Sequence, residues 1–263
     1  MMDYQIVCNK VCELARQTGA FIKESQQKSA IDIEIKGDND FVTQVDKAAE
    51  QKIVNGLKEL IPESGFIAEE GTSDIKGEVF DWIIDPIDGT TNFIHGLAPY
   101  AISIALQEKG ELVLGVIYEM GLAECFYAYK GSPAYLNGHE ICVSDTKNIK
   151  NSLIATGFPY SNYDRLDGFM NSIRYFMEHS RGLRRLGSAA TDLAYVACGR
   201  FDSFYEYNLK PWDVAAGVFI IKQAGGAVCD FNGGDNFLFG QEIIATNKAT
   251  FNEFKGIIND IMN

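Results

Sequence analysis

The sequence predicts a layered α/β or α+β protein in which helices and sheets alternate. Three observations carry this reading. Segments with three- and four-residue apolar spacing alternate with short runs rich in Ile, Val, Phe and Tyr. Residues 100–129 hold three successive strand patterns joined by short turns, as in an antiparallel meander. No linker, internal repeat or low-complexity segment divides the chain, so residues 1–263 are expected to form one domain, with subregions near 1–145 and 146–263.

The elements follow in order. Residues 4–25 repeat Val7, Val11, Leu14, Phe21 and Ile22 at helical spacing. Ile31, Ile33 and Ile35 alternate with Asp32 and Glu34, a half-exposed strand. A polar turn over 36–40 precedes a helix over 43–60, with Val45, Ala49, Ile53 and Leu57 on its apolar face and Asp46 in its first turn. Residues 65–68 and 79–84 read as compact strands, each running into carboxylates. After the meander, Asn137-Gly138 marks a hairpin, and residues 131–137 are expected to protrude at a sheet edge. The remainder alternates: strands at 153–156, 201–207, 227–229 and 243–245, helices at 165–178, 191–198, 211–224 and 251–262.

Composition narrows the function. Of 263 residues, 46% are hydrophobic and 22% charged, as in a globular protein with a large core. The net charge of -13 argues against non-specific nucleic-acid binding. It also means that a phosphate-bearing ligand needs local positive charge, which metal ions supply most simply. The six cysteines form no C-x-x-C pair and are expected to be buried thiols in a reducing compartment. The start M-M-D-Y-Q is unlike a signal peptide and no apolar run reaches membrane-spanning length, so a cytoplasmic protein without membrane contact is expected.

The densest chemistry lies in Trp82-Ile83-Ile84-Asp85-Pro86-Ile87-Asp88-Gly89-Thr90-Thr91-Asn92-Phe93. Asp-Pro and Asp-Gly are ordinary turn formers. Here, however, they follow a buried strand and carry a run of hydroxyl and amide donors. Two hard oxygen ligands beside such donors suit a divalent cation and a phosphate. Glu69, ending the neighbouring strand, is a third candidate ligand by position. Asp213, near a helix start in Pro211-Trp212-Asp213, is favourable there by dipole alone or serves the same cluster. Gly187-Ser188-Ala189-Ala190 allows close helix packing or a substrate lying against the backbone. Arg184 and Arg185 steer an anion or cover a surface. No H-E-x-x-H, G-x-G-x-x-G or G-x-x-x-x-G-K-[ST] motif occurs, and no histidine receives a role.

Together these motifs resemble the inositol monophosphatase family of magnesium-dependent, lithium-sensitive phosphatases. The resemblance rests on the Trp82–Phe93 stretch, on Trp212-Asp213-Val214-Ala215-Ala216-Gly217, on Ala68-Glu69-Glu70-Gly71 and on Gly187-Ser188-Ala189-Ala190. It implies a sugar-phosphatase-like αβαβα fold. It implies two Mg2+ sites, one using Glu69, Asp85 and the Ile87 carbonyl, the other Asp85, Asp88 and Asp213, with a weaker third at Glu69. Li+ or Ca2+ would inhibit. Thr90 paired with Asp46 would orient the attacking water, with Glu69 also catalytic. Gly89, Thr90 and Thr91 would bind phosphate, and Lys36 would occupy a matching basic position. Asp88, Gly187, Ser188, Ala189 and Glu206 would line the leaving-alcohol side.

The implied activity is hydrolysis of a phosphate monoester by direct attack of metal-activated water, with myo-inositol 1-phosphate as the preferred substrate. Fructose 1,6-bisphosphate or a broader set of sugar and polyol phosphates is the alternative. A homodimer is implied. The rival of another class is a non-catalytic regulatory protein on this fold, since some members associate with transcription machinery or RNA.

Overall fold

The computed structural model of the protein describes residues 2–28, 33–37, 40–73, 75–160 and 162–262, and only the backbone of 27–28, 33–37 and 40–43. Helix α1 (Tyr4–Lys28) leads into the hairpin of β1 (Ile33–Gly37) and β2 (Asp40–Thr43), then α2 (Gln44–Leu60). Thr43, expected to begin a helix, instead pairs with Ile33 in that hairpin. Ile31 and the middle of the expected polar turn lie outside the described residues.

Next come β3 (Gly65–Ala68), β4 (Phe80–Asp88), α3 (Thr90–Ile94), β5 (Ala101–Glu108), β6 (Glu111–Glu119), β7 (Glu124–Tyr129), β8 (Ala134–Leu136) and β9 (His139–Ile141). These strands form one seven-stranded sheet in chain order. β3 and β4 run parallel, and β4 pairs antiparallel with β5 from Phe80↔Glu108 to Asp88↔Ala101. The meander therefore continues the site-bearing sheet. Residues 134–136 are likewise inside the sheet, paired with β7, so the expected protrusion is a strand. Asn137 and Gly138, at φ 49° and 87°, close the β8–β9 hairpin as expected.

The remaining elements are β10 (Leu153–Thr156), α4 (Leu166–His179), β11 (Gly182–Arg184), α5 (Ala189–Ala197), β12 (Ser203–Tyr207), α6 (Pro211–Gln223), β13 (Ala227–Cys229), β14 (Glu242–Thr246) and α7 (Phe251–Met262). Their strands form a five-stranded sheet in the order β11-β10-β12-β14-β13.

Strand alternation assigns the layers. Trp82 and Ile84 pack with α1 and α2, whereas Ile83 between them packs with α5 and α6. In the second sheet Ala155 and Phe204 face α5 and α6, and Ile154 and Tyr205 face α4 and α7. The result is the αβαβα layering. α5 and α6 lie between two sheets, which explains why nearly all of α5 and residues 214–221 of α6 are buried. Small residues let them approach closely: a Cβ added at Gly115 of β6 would meet the Ala216 carbonyl oxygen of α6 at 2.6 Å. Four cysteines are buried, but Cys142 is exposed and Cys198 half-buried, against the expectation of uniform burial. No described helix is long and apolar enough to cross a membrane.

Candidate active site

Parallel pairing sets the first two acids side by side. Ala68 pairs with Ile84, so Glu69 and Asp85 are the next residues on adjacent strands, and Glu69 N donates to the Ile84 carbonyl at 3.2 Å. The sequence reading ended β4 at Ile84. In the structure β4 runs on through Asp88, with a register shift against β5 between Asp85 and Asp88. Pro86 sits in this irregular segment, where a missing N–H costs no ladder bond. Ile87 N donates to Asp85 Oδ1 at 2.9 Å and fixes that carboxylate.

Gly89 then turns the chain at φ 93°. Any Cβ there would lie 2.9 Å from the Gly187 carbonyl oxygen, so glycine permits both the left-handed turn and the close approach of the α5 loop. Helix α3 starts at Thr90. Its Oγ1 lies 3.3 Å from Asp46 Oδ1 and 3.0 Å from the Ile87 carbonyl oxygen. Asp46, fully buried in α2, thus meets the group that the sequence reading required of it.

Four residues further along α2, Glu50 is also fully buried. It accepts from Glu70 N at 2.7 Å, Thr72 N at 2.8 Å and Thr72 Oγ1 at 2.7 Å, fastening the loop that follows Glu69.

Asp213 enters from the other half, in the first turn of α6. Its Oδ2 accepts from Lys210 N at 2.7 Å, and Ser103 Oγ of β5 donates to the Trp212 carbonyl at 2.9 Å, tying this helix start to the first sheet. Carboxylate oxygens of Asp85, Asp88 and Asp213 lie within 4.8 Å of one another. Asp88 Oδ2 also accepts from Ser188 Oγ, the N-cap of α5, and from Ala190 N at 2.8 Å.

Crowding and burial disfavour charge on these acids. Burial, then the charges of Glu69, Asp88 and Asp213, pushes the Asp85 carboxyl well above its usual range. Asp213 is raised by burial and by Asp88. Asp88 is pushed up to about 6 by burial, against the bonds from Ser188, Ala190 and Ala189 and the charge of Arg185. Three hard oxygen donors that repel one another at this spacing fit a divalent cation, which would reverse the repulsion.

The acids line a cavity of about 310 Å3. The lining also includes Gly187, Ser188, Ala189 and Glu206, together with Phe158, Tyr160, Arg185 and Asp192. Burial, then the Asp88 charge, pushes the Glu206 carboxyl up to about 8, with Arg185 acting against the shift. The guanidinium of Arg185 lies 5.3 Å from the Phe158 ring centroid and 5.8 Å from that of Tyr160, and Nη2 donates to Tyr160 Oη at 2.9 Å.

A sequence model of the inositol monophosphatase family matches residues 3–261. The chain belongs to the inositol monophosphatase family. It is 41% identical over 253 residues to the Nus factor SuhB of Pseudomonas aeruginosa, covering 94% of this chain and 93% of that protein. It resembles the crystal structure of the extragenic suppressor protein suhB of Bartonella henselae, with TM-score 0.91, 37% identity, and 96% and 98% of the two chains covered. A Thermotoga maritima IMPase matches with TM-score 0.87, 36% identity and 95% of each chain. Membership places the chain among metal-dependent phosphatases, and its buried acidic cluster is of the kind such enzymes need.

Within this inositol monophosphatase fold, the residues singled out from sequence converge. Glu69, Asp85, Ile87, Asp88, Gly89, Thr90, Thr91, Gly187, Ser188, Ala189, Glu206 and Asp213 all line the one cavity, and Asp46 reaches it through Thr90. The Lys36 side chain lies outside the described residues. Two contributors, Glu50 and Asp192, escaped the sequence reading, and a third was named only as half of a pair. Arg185 was not separated from Arg184, which is exposed and donates to the Leu183 carbonyl. Glu50 and Asp192 each sit four residues after a recognised site residue (Asp46 and Ser188) on the buried face of a helix. That i, i+4 acid on an apolar face was the available signal.

Proposed function

We propose that the chain is a magnesium-dependent phosphate monoester hydrolase acting on a polyol phosphate, foremost myo-inositol 1-phosphate. The mutual 4.8 Å approach of Asp85, Asp88 and Asp213 supports this reading most directly. Glu69, Asp85 and the Ile87 carbonyl would hold one Mg2+, Asp85, Asp88 and Asp213 a second, and Glu69 a weaker third. When bound, such ions neutralise phosphate oxygens, acidify water and stabilise a leaving alkoxide.

The protein's own groups do the positioning. Asp46 and the Ile87 carbonyl compete for the Thr90 hydroxyl proton, which leaves a Thr90 lone pair to accept from an attacking water. Thr90 and Thr91, with the backbone of Gly89, face the cavity where a phosphate would lie. Ser188 and Ala190 pin Asp88, so it cannot swing away when charge develops. Glu206, across the cavity, accepts from hydroxyls of the alcohol. Every acid near the phosphate position is already engaged as a ligand, which favours direct hydrolysis without a phosphoenzyme. The reading extends to a cytoplasmic homodimer.

Parallel Mg2+-dependent assays on myo-inositol 1-phosphate, fructose 1,6-bisphosphate, histidinol phosphate and 3′-phosphoadenosine 5′-phosphate test it. The inositol ester should turn over fastest. In labelled water the released phosphate should carry one solvent oxygen, with inversion at phosphorus. A trapped aspartyl-phosphate or retention would overturn the mechanism. Faster cleavage of fructose 1,6-bisphosphate would move the substrate assignment. Absence of turnover on all four would favour the non-catalytic reading, to which the name Nus factor of the Pseudomonas relative lends weight.

A further inference from the structure

We infer that Arg185 and Asp192 form a hydroxyl-reading pair that, with Glu206, selects the alcohol half of the substrate. The inference rests on the phosphatase reading and names specificity-determining residues that it does not contain.

Two buried polar atoms of residues lining the cavity have no hydrogen-bond partner: Arg185 Nε, a donor, and Asp192 Oδ1, an acceptor. A third orphan among the lining residues, Tyr207 Oη, belongs to a ring packed against Phe169 at 5.7 Å on the opposite side of β12. Asp192 is only 1% exposed, so its unmade bond carries the full cost of desolvation. An unpaired donor and an unpaired acceptor in the lining of one cavity are matched by a group that accepts from the first and donates to the second. A hydroxyl does both.

The pair is preorganised. α5 sets Asp192 one turn beyond Ser188, and Ser188 is locked to Asp88. The Arg185 guanidinium is held by the Phe158 and Tyr160 rings and by Tyr160 Oη. A Cβ at Gly187 would come within 2.6 Å of Arg185 Nη1, so glycine there lets the guanidinium lie flat against the loop. Glu206 adds an acceptor in the same cavity. Together they read adjacent hydroxyls, which a cyclitol or sugar ester offers and an aryl ester lacks.

The test compares kcat/KM for myo-inositol 1-phosphate with that for p-nitrophenyl phosphate, both with Mg2+. Asp192→Ala and Arg185→Gln are each expected to lower this ratio about ten- to a hundredfold, mainly through KM for the polyol ester. Calorimetric binding of myo-inositol 1-phosphate in Ca2+ should weaken by a similar factor. Asp192→Leu fills the site without supplying an acceptor and carries the same test if the alanine variant does not fold. A ratio within twofold of wild type in the folded variants overturns the inference alone. A wild type that cleaves neither ester overturns the phosphatase reading and this inference with it.

Discussion

Asp88→Asn should lose about a thousandfold or more in kcat at saturating Mg2+, while the metal-free protein keeps or gains thermal stability at pH 8. The two effects separate because Asp88 does two jobs. Its Oδ2 accepts from Ser188 Oγ and Ala190 N, and an asparagine oxygen can accept the same bonds. A carboxylate oxygen of Asp88 also lies within 4.8 Å of one from Asp85 and one from Asp213, and with the amide oxygen kept on Ser188 and Ala190 the variant puts nitrogen in place of the second oxygen. An amide nitrogen there donates and cannot ligate a cation. The substitution also removes one of three crowded, buried negative charges, which relieves repulsion on Asp85 and Asp213. Steady-state kinetics over a Mg2+ series, with thermal unfolding in chelator, measures both. Near-wild-type turnover with an unchanged Mg2+ dependence would remove Asp88 from the site.

Gly157→Ala should be the most damaging single-methyl addition at the alcohol end. A Cβ there would stand 2.1 Å from Cδ, Oε1 and Oε2 of Glu206. The whole carboxylate lies flush on the glycine, so no small rotation clears it. Glu206 is 6% exposed and its free direction is into the cavity, where a substrate hydroxyl would sit. The expected result is a stability loss of about 1–3 kcal/mol and a KM for myo-inositol 1-phosphate raised about tenfold or more. Gly256→Ala in α7 is the internal control. Nothing lies within 4 Å of its added Cβ, so it should be neutral or stabilise by up to about 1 kcal/mol. Equal effects of the two substitutions would show that Gly157 merely tolerates poor packing.

The difference between what was legible in the sequence and what was not has physical causes. The acids of the cluster were legible because two short motifs hold them beside turn formers: Asp85 and Asp88 around Pro86 and Gly89, Asp213 after Pro211. The layered alternation was legible because helical spacing alternates with short apolar runs such as residues 82–84, while the αβαβα order came only with the family resemblance. Three of the shortest elements were not. β2, β11 and α3 are too short to show a period, and pairing with a neighbour, not local propensity, makes the two strands. Glu50 and Asp192 were missed, and Arg185 was not told apart from Arg184, because a single charge in sequence looks the same whether it meets water or a cavity. Glu50 is covered by the loop after β3, and Asp192 lies on α5 between the two sheets.

The proposed activity requires cations where Asp85, Asp88 and Asp213 converge. Anomalous diffraction from crystals soaked in Mn2+ reads this directly. Two peaks are expected, both touching Asp85, one shared with Glu69 and the other with Asp88 and Asp213. Bound Mn2+ elsewhere on the protein, with no peak among these carboxylates, would contradict it.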